Sequence, residues 1–102
     1  MEKTLTLVAF IRAKQGLEDE LGRRLQALIA PTRQEAGCIN YDLHRSNDDP
    51  ALWMLHENWR SQRDLDQHFE TPYLKDFLDR AGELLAEEMD LRFFSPVSAP
   101  AL

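Results

Sequence analysis

Residues 51–69 bring together a group of side chains that could do chemistry: the two tryptophans of the chain, the Glu57 carboxylate, the Asn58 amide and the imidazoles of His56 and His68. The segment from Ala51 to Trp59 has the hydrophobic character of a β-strand, and Ser61 then begins a helix that carries His68. Side chains alternate between the faces of a strand, so one face presents Trp53, Leu55, Glu57 and Trp59 and the other presents Leu52, Met54, His56 and Asn58. Two bulky indoles, each with one N–H group to satisfy, indicate either a deep core or a pocket for a flat ligand.

Each of these side chains also has a purely structural interpretation. Trp53 and Trp59 are equally typical of core residues, and Glu57 could form an ion pair with Arg60. His68 lies three positions after an apolar residue, as a hydrogen-bonded histidine on a half-buried helix face would. The residues alone therefore leave a catalytic site and a plain core as open alternatives.

A metal or nucleic-acid site is disfavoured. His56 and Glu57 point to opposite faces of the strand, the chain has no HxxxH or HxH spacing, and His44 and His56 are expected at a surface or a dimer face. The chain has a net charge of −6 and lacks the clustered cations that a nucleic-acid surface needs.

The single cysteine, Cys38, cannot form an internal disulfide. It is expected to be a small buried hydrophobe in a protein of a reducing, cytoplasmic compartment. No segment is long and apolar enough to span a membrane, and none resembles a signal peptide.

The apolar spacing predicts elements in the order β-α-β-β-α-β. We expect a strand at 4–13, a helix from 17 to 37 kinked at Pro31, strands at 38–45 and 51–59, a helical region from 61 that is broken near Glu70, and a strand at about 89–97. Gly37 should end the first helix with a positive φ. Ile39, Tyr41 and Leu43 should share one face of the second strand.

This order predicts an α+β, ferredoxin-like fold in which two helices cover one face of a four-stranded antiparallel sheet. The domain is expected to span residues 1–97, followed by a flexible C-terminal tail at 98–102. The first and third strands are apolar on both faces, although the chain's own helices can cover only one face of the sheet. Two such sheets facing each other in a homodimer would bury the second face.

The pattern Gly37-Cys38-x-x-Tyr41, then Asp49-Pro50 in a turn, then Glu57-x-Trp59-x-Ser61 and His68 resembles the antibiotic biosynthesis monooxygenase family, and especially its small quinol-monooxygenase-like members. The resemblance covers nearly the whole chain. It implies a dimeric α+β barrel with a pocket in each subunit between sheet and helices. It also implies that electron-rich aromatics are oxygenated with molecular oxygen and without a metal or organic cofactor.

The resemblance gives the candidate residues roles. Triplet oxygen reacts slowly with closed-shell molecules, so the substrate must supply an electron, and a quinol or anthrone does so more readily once a base has deprotonated it. His68 is the candidate base because an imidazole titrates near neutrality. Trp59 and Asn58 are candidate donors to substrate oxygens on opposite faces, and we favour Trp59 as the catalytic partner. The substrate-binding candidates are Tyr41, Asn58, Glu57, Tyr73 and Trp53.

This hypothesis requires Trp59 and His68 to project into one shared, largely dry hollow beneath the helices. Two alternatives use the same fold: a non-redox isomerase in the same pocket, and a dimeric ligand-binding module without enzymatic activity. A haem-degrading reaction is less favoured, because such relatives carry an asparagine on the first strand, where this chain has Leu7-Val8-Ala9-Phe10.

Overall fold

A computed structural model describes residues 3–98 of the chain. The elements are β1 Leu5–Arg12, α1 Glu18–Gln26, α2 Ile29–Arg33, β2 Cys38–Arg45, β3 Leu52–Trp59, α3 Gln62–Phe69, α4 Pro72–Leu84 and β4 Asp90–Phe94. The strands form one antiparallel sheet in the order β2-β3-β1-β4, and the helices cover one of its faces. The predicted α+β ferredoxin-like fold is therefore confirmed.

The core lies between the sheet and the helices, and it is formed by every second residue of the strands together with one apolar stripe of each helix. On β1, Leu7, Ala9 and Ile11 are buried, whereas the alternate residues Val8 and Phe10 are half-buried on the open face. The helices contribute apolar residues at their own three- and four-residue spacing. The buried ones are Leu21, Leu25, Leu65, Leu74, Phe77, Ala81 and Leu84, and Leu28 is buried in the turn between α1 and α2.

The first helical region is interrupted earlier than predicted. A kinked helix through Pro31 was expected, but α1 ends at Gln26 and α2 begins at Ile29. Pro31 has no N–H group, so it cannot bond to the Ala27 carbonyl four residues before it, and the interruption falls at that turn. The expected break of the second helical region is found between α3 and α4, where Thr71 and Pro72 begin the new helix.

Gly37 is required for a reason other than the predicted one. Its φ is not positive, since Gly16 is the glycine with a positive φ among residues 3–98. A Cβ on Gly37 would instead overlap the Asp64 side chain at the start of α3. The glycine therefore permits close approach between the β2 entrance and α3.

A β-bulge at the start of β2 changes which residues face inward. The pairing shifts between Cys38 and Asn40, so Cys38 lies opposite Trp59, and Ile39 is left 58% exposed. The prediction that Ile39 shares the face of Tyr41 and Leu43 is therefore wrong. The sequence alternation alone could not reveal the extra residue.

The last strand is shorter than predicted and ends at Phe94. Of the expected flexible tail, 98–102, only Ser98 lies within the described residues.

The open face of the sheet carries a chain of hydrogen bonds between polar side chains. Thr6 donates to Asn58, Asn58 donates to Asn40, and Asn40 donates to the His56 carbonyl. Within residues 3–98, no helix has both the length and the apolar character needed to cross a membrane.

Candidate functional site

The inward face of β3 places Glu57 and Trp59 in the core, two residues apart. Glu57 lies opposite Tyr41 on β2, and Trp59 lies opposite Cys38. The indole N–H of Trp59 donates to Glu57 Oε1 at 2.9 Å. That N–H is therefore already occupied within the protein, so Trp59 does not hold it free for a substrate oxygen.

Helix α3 brings His68 onto this face of the sheet. The helix begins after Ser61, as expected, and Ser61 caps it by accepting a hydrogen bond from the Asp64 N–H. Leu65 and His68 then fall on the buried side. The imidazole packs on Trp59 with ring centroids 4.7 Å apart and meets Tyr41 edge-on at 5.6 Å. Three aromatic side chains from three elements thus meet beneath the helices.

The expectation that Trp59 and His68 project into one shared hollow beneath the helices is wrong. The two rings do project under the helices, but Trp59 is 0% and His68 is 2% exposed, and a separation of 4.7 Å leaves no room for a flat molecule between them. The cluster reaches the surface at half-buried neighbours, Phe69 beside His68 and Tyr73 at the start of α4. Access to the imidazole therefore lies at its edge, past these side chains.

Glu35 is a member of this cluster that the sequence analysis did not identify. It lies in the connection between α2 and β2, and its Oε2 atom lies 2.8 Å from His68 Nδ1. The Tyr73 hydroxyl donates to the same oxygen. No periodicity or motif marks Glu35, because it lies outside a regular element and contacts residues 33 and 38 positions later.

Burial and neighbouring charge shift the pKa values in the cluster. Burial lowers the pKa of His68 from 6.5, although the hydrogen bond to Glu35 opposes this shift. Burial raises the pKa of Glu57 to about 7, against the lowering effect of the Trp59 hydrogen bond, and Glu35 adds to the rise. Burial and Glu35 also raise the pKa of Cys38 to about 11 and that of Tyr73 to about 12. Burial raises the pKa of Tyr41 as well.

These shifts define what the cluster can do at neutral pH. His68 is an uncharged imidazole and can accept a proton, and the tyrosines remain protonated donors. The Glu57 carboxyl, with a pKa of about 7, can release or take up a proton near neutrality. An ion pair would have lowered that pKa, and Arg60 instead contacts Asp64 at 3.0 Å, so the ion-pair interpretation of Glu57 is not supported.

Two of the substrate-binding candidates lie elsewhere. Trp53 is at the opposite end of β3, where its Nε1 donates to the Glu18 carbonyl at 3.1 Å and Arg45 stacks 4.6 Å above the ring. Asn58 is on the open face, bonded to Thr6 and Asn40. The structure thus brings together five of the seven predicted residues: Tyr41, Glu57, Trp59, His68 and Tyr73.

Residues 3–98 line at least three cavities outside the cluster. One of about 500 Å³ lies between α4 and β4, next to Leu78, Leu85 and Leu91. Two on the open face, of about 220 and 320 Å³, share Phe10 and Leu52. His68 and Trp59 line none of these three. Across the described part of the chain, no three His, Cys, Asp or Glu side chains group in a way that could hold a metal ion.

Comparisons with known proteins agree with this architecture. The family model described as antibiotic biosynthesis monooxygenase matches residues 4–80. Rv0793 of Mycobacterium tuberculosis, named "putative monooxygenase", is 32% identical over 95% of both chains, and its solved structure superimposes with a TM-score of 0.90 over 96% of this chain and 99% of that one. The crystal structure of PA3566 from Pseudomonas aeruginosa is 36% identical, with a TM-score of 0.91 over 96% of this chain and 98% of that one.

A third relative shares only part of its length. The protein sll1783 of Synechocystis is 31% identical over 82% of this chain, and the match spans 57% of the Synechocystis protein. The family match covers most of the chain, and the similarity to Rv0793 extends over nearly its whole length. This chain therefore belongs to the antibiotic biosynthesis monooxygenase family.

Proposed function

We propose that this protein is a monooxygenase that oxidises a small electron-rich aromatic, of the quinol or anthrone type, with molecular oxygen and without a metal or organic cofactor. His68 is the base, and Trp59, which is 0% exposed and packs on the imidazole with ring centroids 4.7 Å apart, orients that imidazole. The observation that carries the proposal is an uncharged, buried imidazole held by a carboxylate within an aromatic cluster, in a chain of this family.

The reaction balances with the substrate as the only reductant. His68 takes a proton from the substrate, and the resulting anion gives one electron to oxygen. The substrate radical and superoxide then combine into a carbon-bound peroxide. Loss of the remaining hydrogen from that carbon with cleavage of the O–O bond gives a carbonyl group and hydroxide, and the hydroxide takes the proton from His68 and leaves as water. In an anthrone, a CH₂ group and O₂ thus become C=O and H₂O. In a quinol, the first proton comes from a hydroxyl group, so one O–H, one ring C–H and O₂ become the keto form of a hydroxyquinone and H₂O.

The surroundings of His68 suit these steps. Trp59, Tyr41 and Leu65 are buried, so the anion forms in a poorly hydrated site where a hydrogen-bond donor acts strongly. The protonated hydroxyl of Tyr41 is a candidate donor to the developing oxyanion. The substrate approaches the edge of the imidazole by displacing the half-buried side chain of Phe69, whose ring centroid lies 5.8 Å from that of His68.

Oxygen uptake with a panel of quinols and anthrones tests the proposal. Wild-type protein should consume oxygen faster than autoxidation, and one labelled oxygen atom from O₂ should enter the product. His68→Ala should lower the rate by about 100-fold or more, because a positioned general base contributes on that scale. His44→Ala is the matched control, since His44 is exposed on β2. Uptake no faster than autoxidation across the panel, or an unaffected His68→Ala variant, would refute the proposal.

A second candidate is an isomerase that moves protons without oxygen. The Glu57 carboxyl favours it, because its pKa of about 7 and its bond to Trp59, whose ring packs on His68, place two proton-exchanging groups in one cluster. Incorporation of label from O₂ separates the two reactions. A ligand-binding module without activity is the third possibility, and ligands that raise the melting temperature without turnover would indicate it.

We also propose that the protein acts as a cytoplasmic homodimer. The half-buried apolar residues of the open sheet face, Val8, Phe10 and Met54, support pairing of two sheets. A monomeric mass in solution would exclude this assembly.

A further inference from the structure

One carboxylate oxygen organises the base of the proposed site. Glu35 Oε2 lies 2.8 Å from His68 Nδ1 and also accepts the Tyr73 hydroxyl. We propose that Glu35 is a positioning residue, which keeps the His68 proton on Nδ1, leaves the lone pair on Nε2 as the base, and holds the Tyr73 hydroxyl beside the ring. This inference rests on the function proposed above, and it adds to that function a residue that neither touches the substrate nor follows from the family resemblance.

The hydrogen-bond chemistry fixes the tautomer. An ionised carboxylate only accepts hydrogen bonds, so the ring nitrogen that it contacts must carry the proton. Because burial keeps the imidazole uncharged near neutrality, the ring has a single N–H, and that N–H is on Nδ1. Nε2 is then the nitrogen with a lone pair. No protein hydrogen-bond partner reaches Nε2 from the described residues, so it remains available to a substrate proton.

The backbone around Glu35 supports this role. The Glu35 N–H donates to the Thr32 carbonyl at 3.0 Å, and the Glu35 carbonyl accepts from the Cys38 N–H at 3.0 Å. Both sides of the residue are therefore tied to the end of α2 and the start of β2. Trp59 and Tyr41 hold the plane of the imidazole independently of Glu35. The freedom that Glu35 removes is a flip of the ring about its Cβ–Cγ bond, which would keep the plane but turn Nδ1 away from the carboxylate.

Two titratable groups contact the imidazole directly, Glu35 through its carboxylate and Tyr41 through its ring. Three more lie one side chain away: Tyr73 bonded to Glu35, Glu57 bonded to Trp59, and Cys38 opposite Trp59. Of these, Glu35 raises the pKa of His68 by hydrogen bond and by charge. Removing its charge should therefore lower the pKa of His68 further.

Nitrogen NMR of the protein labelled in its three histidines tests the inference without any need for activity. Wild-type His68 should carry its proton on Nδ1 above its pKa. Glu35→Gln can present either an oxygen or an NH₂ group to Nδ1, so we expect a mixture of tautomers, a lower His68 pKa, and a pH–rate profile shifted in the acid direction. With a productive quinol, kcat should fall by about 10- to 100-fold while KM changes little, because a misplaced base loses much of its contribution.

Two variants act as controls. Glu83→Gln removes an exposed carboxylate from α4 and should leave the tautomer, the pKa and the rate unchanged. Tyr73→Phe removes the second donor to Glu35 but leaves the carboxylate in place. It should therefore preserve the Nδ1–H tautomer. It should also raise the pKa of His68, because the carboxylate no longer shares its oxygen with the Tyr73 hydroxyl, and this shift is opposite in sign to the one expected for Glu35→Gln.

The outcomes separate this inference from the proposed function. If wild-type His68 carries its proton on Nε2, the inference is overturned even without a variant, so it stays testable if Glu35→Gln does not fold. If quinols are oxidised and Glu35→Gln changes neither the tautomer nor the pH profile, the inference fails alone. If no quinol is oxidised but the tautomer depends on Glu35 as expected, the proposed function fails and the positioning role stands.

Discussion

The burial of Glu57 should make the protein less stable as the pH rises, and Glu57→Gln should remove this effect. Glu57 is 3% exposed, and its pKa is raised from 4.5 to about 7. Each pKa unit corresponds to about 1.4 kcal/mol, so ionising this carboxyl in the folded state costs about 3 kcal/mol relative to the unfolded chain. Glutamine keeps an oxygen for the Trp59 N–H and cannot ionise.

The sign is set by proton binding. Between pH 4.5 and 7, the folded protein keeps a proton on Glu57 that the unfolded chain has lost, so this contribution to stability is fully present below pH 4.5 and is lost as the pH rises through 7. Urea unfolding at fixed protein concentration should therefore give similar free energies for wild type and Glu57→Gln at pH 4.5, if the amide itself is neutral. At pH 8 the variant should be more stable by up to about 3 kcal/mol.

Glu83→Gln on the exposed face of α4 is the matched control and should show no such pH dependence. The informative quantity is the change in the stability difference between pH 4.5 and pH 8, because constant packing effects of the amide cancel in it. A stability difference between Glu57→Gln and wild type that stays the same at both pH values would refute the reasoning that Glu57 is protonated in the folded core.

Two further predictions concern the elements that support the site. Gly22→Ala should lower the free energy of unfolding by about 1–3 kcal/mol, because the new Cβ would overlap the Trp53 ring. Gly82→Ala on α4, where the new Cβ meets open space, should raise it by about 0.5–1 kcal/mol. Equal urea midpoints for the two variants would contradict this prediction. Ser61→Ala should cost about 1 kcal/mol by removing the hydrogen bond to the Asp64 N–H, and an unchanged thermal midpoint would show that the cap contributes nothing.

The fold was predictable because its signals are local and repeated. Alternation along β3 correctly assigned Trp53, Leu55, Glu57 and Trp59 to one face, and the Ser61 cap marked the start of α3. One error fell where a single residue changes the register of its strand: Ile39 at the β2 bulge, since nothing in an alternating pattern reveals an inserted residue. The others concern single positions, such as the helix interruption before Pro31 and the φ of Gly37.

The site was only partly predictable for a different reason. His68 and Trp59 are titratable or aromatic residues on regular elements, so period and chemistry together identified them. Glu35 lies in a connection and reaches His68 across 33 positions of sequence, a contact set by how α2 packs against β2 and not by any local spacing. Whether a hollow or a packed cluster lies between Trp59 and His68 depends on tertiary packing to within a few ångströms, which composition does not determine.

The energetic position of Glu57 links stability to function. A domain of this size typically has about 5–15 kcal/mol of stability, so a buried carboxyl that costs about 3 kcal/mol at high pH is a large penalty to retain in the core. Glutamine would satisfy the Trp59 N–H without that cost, so structure alone gives no reason for a glutamate at this position. What glutamate adds is a proton that can move near neutral pH, next to the ring that packs on His68. Glu57→Gln should therefore separate stability from proton exchange. We expect the variant to be more stable than wild type above pH 7 and slower in the proton-coupled reaction that the cluster performs.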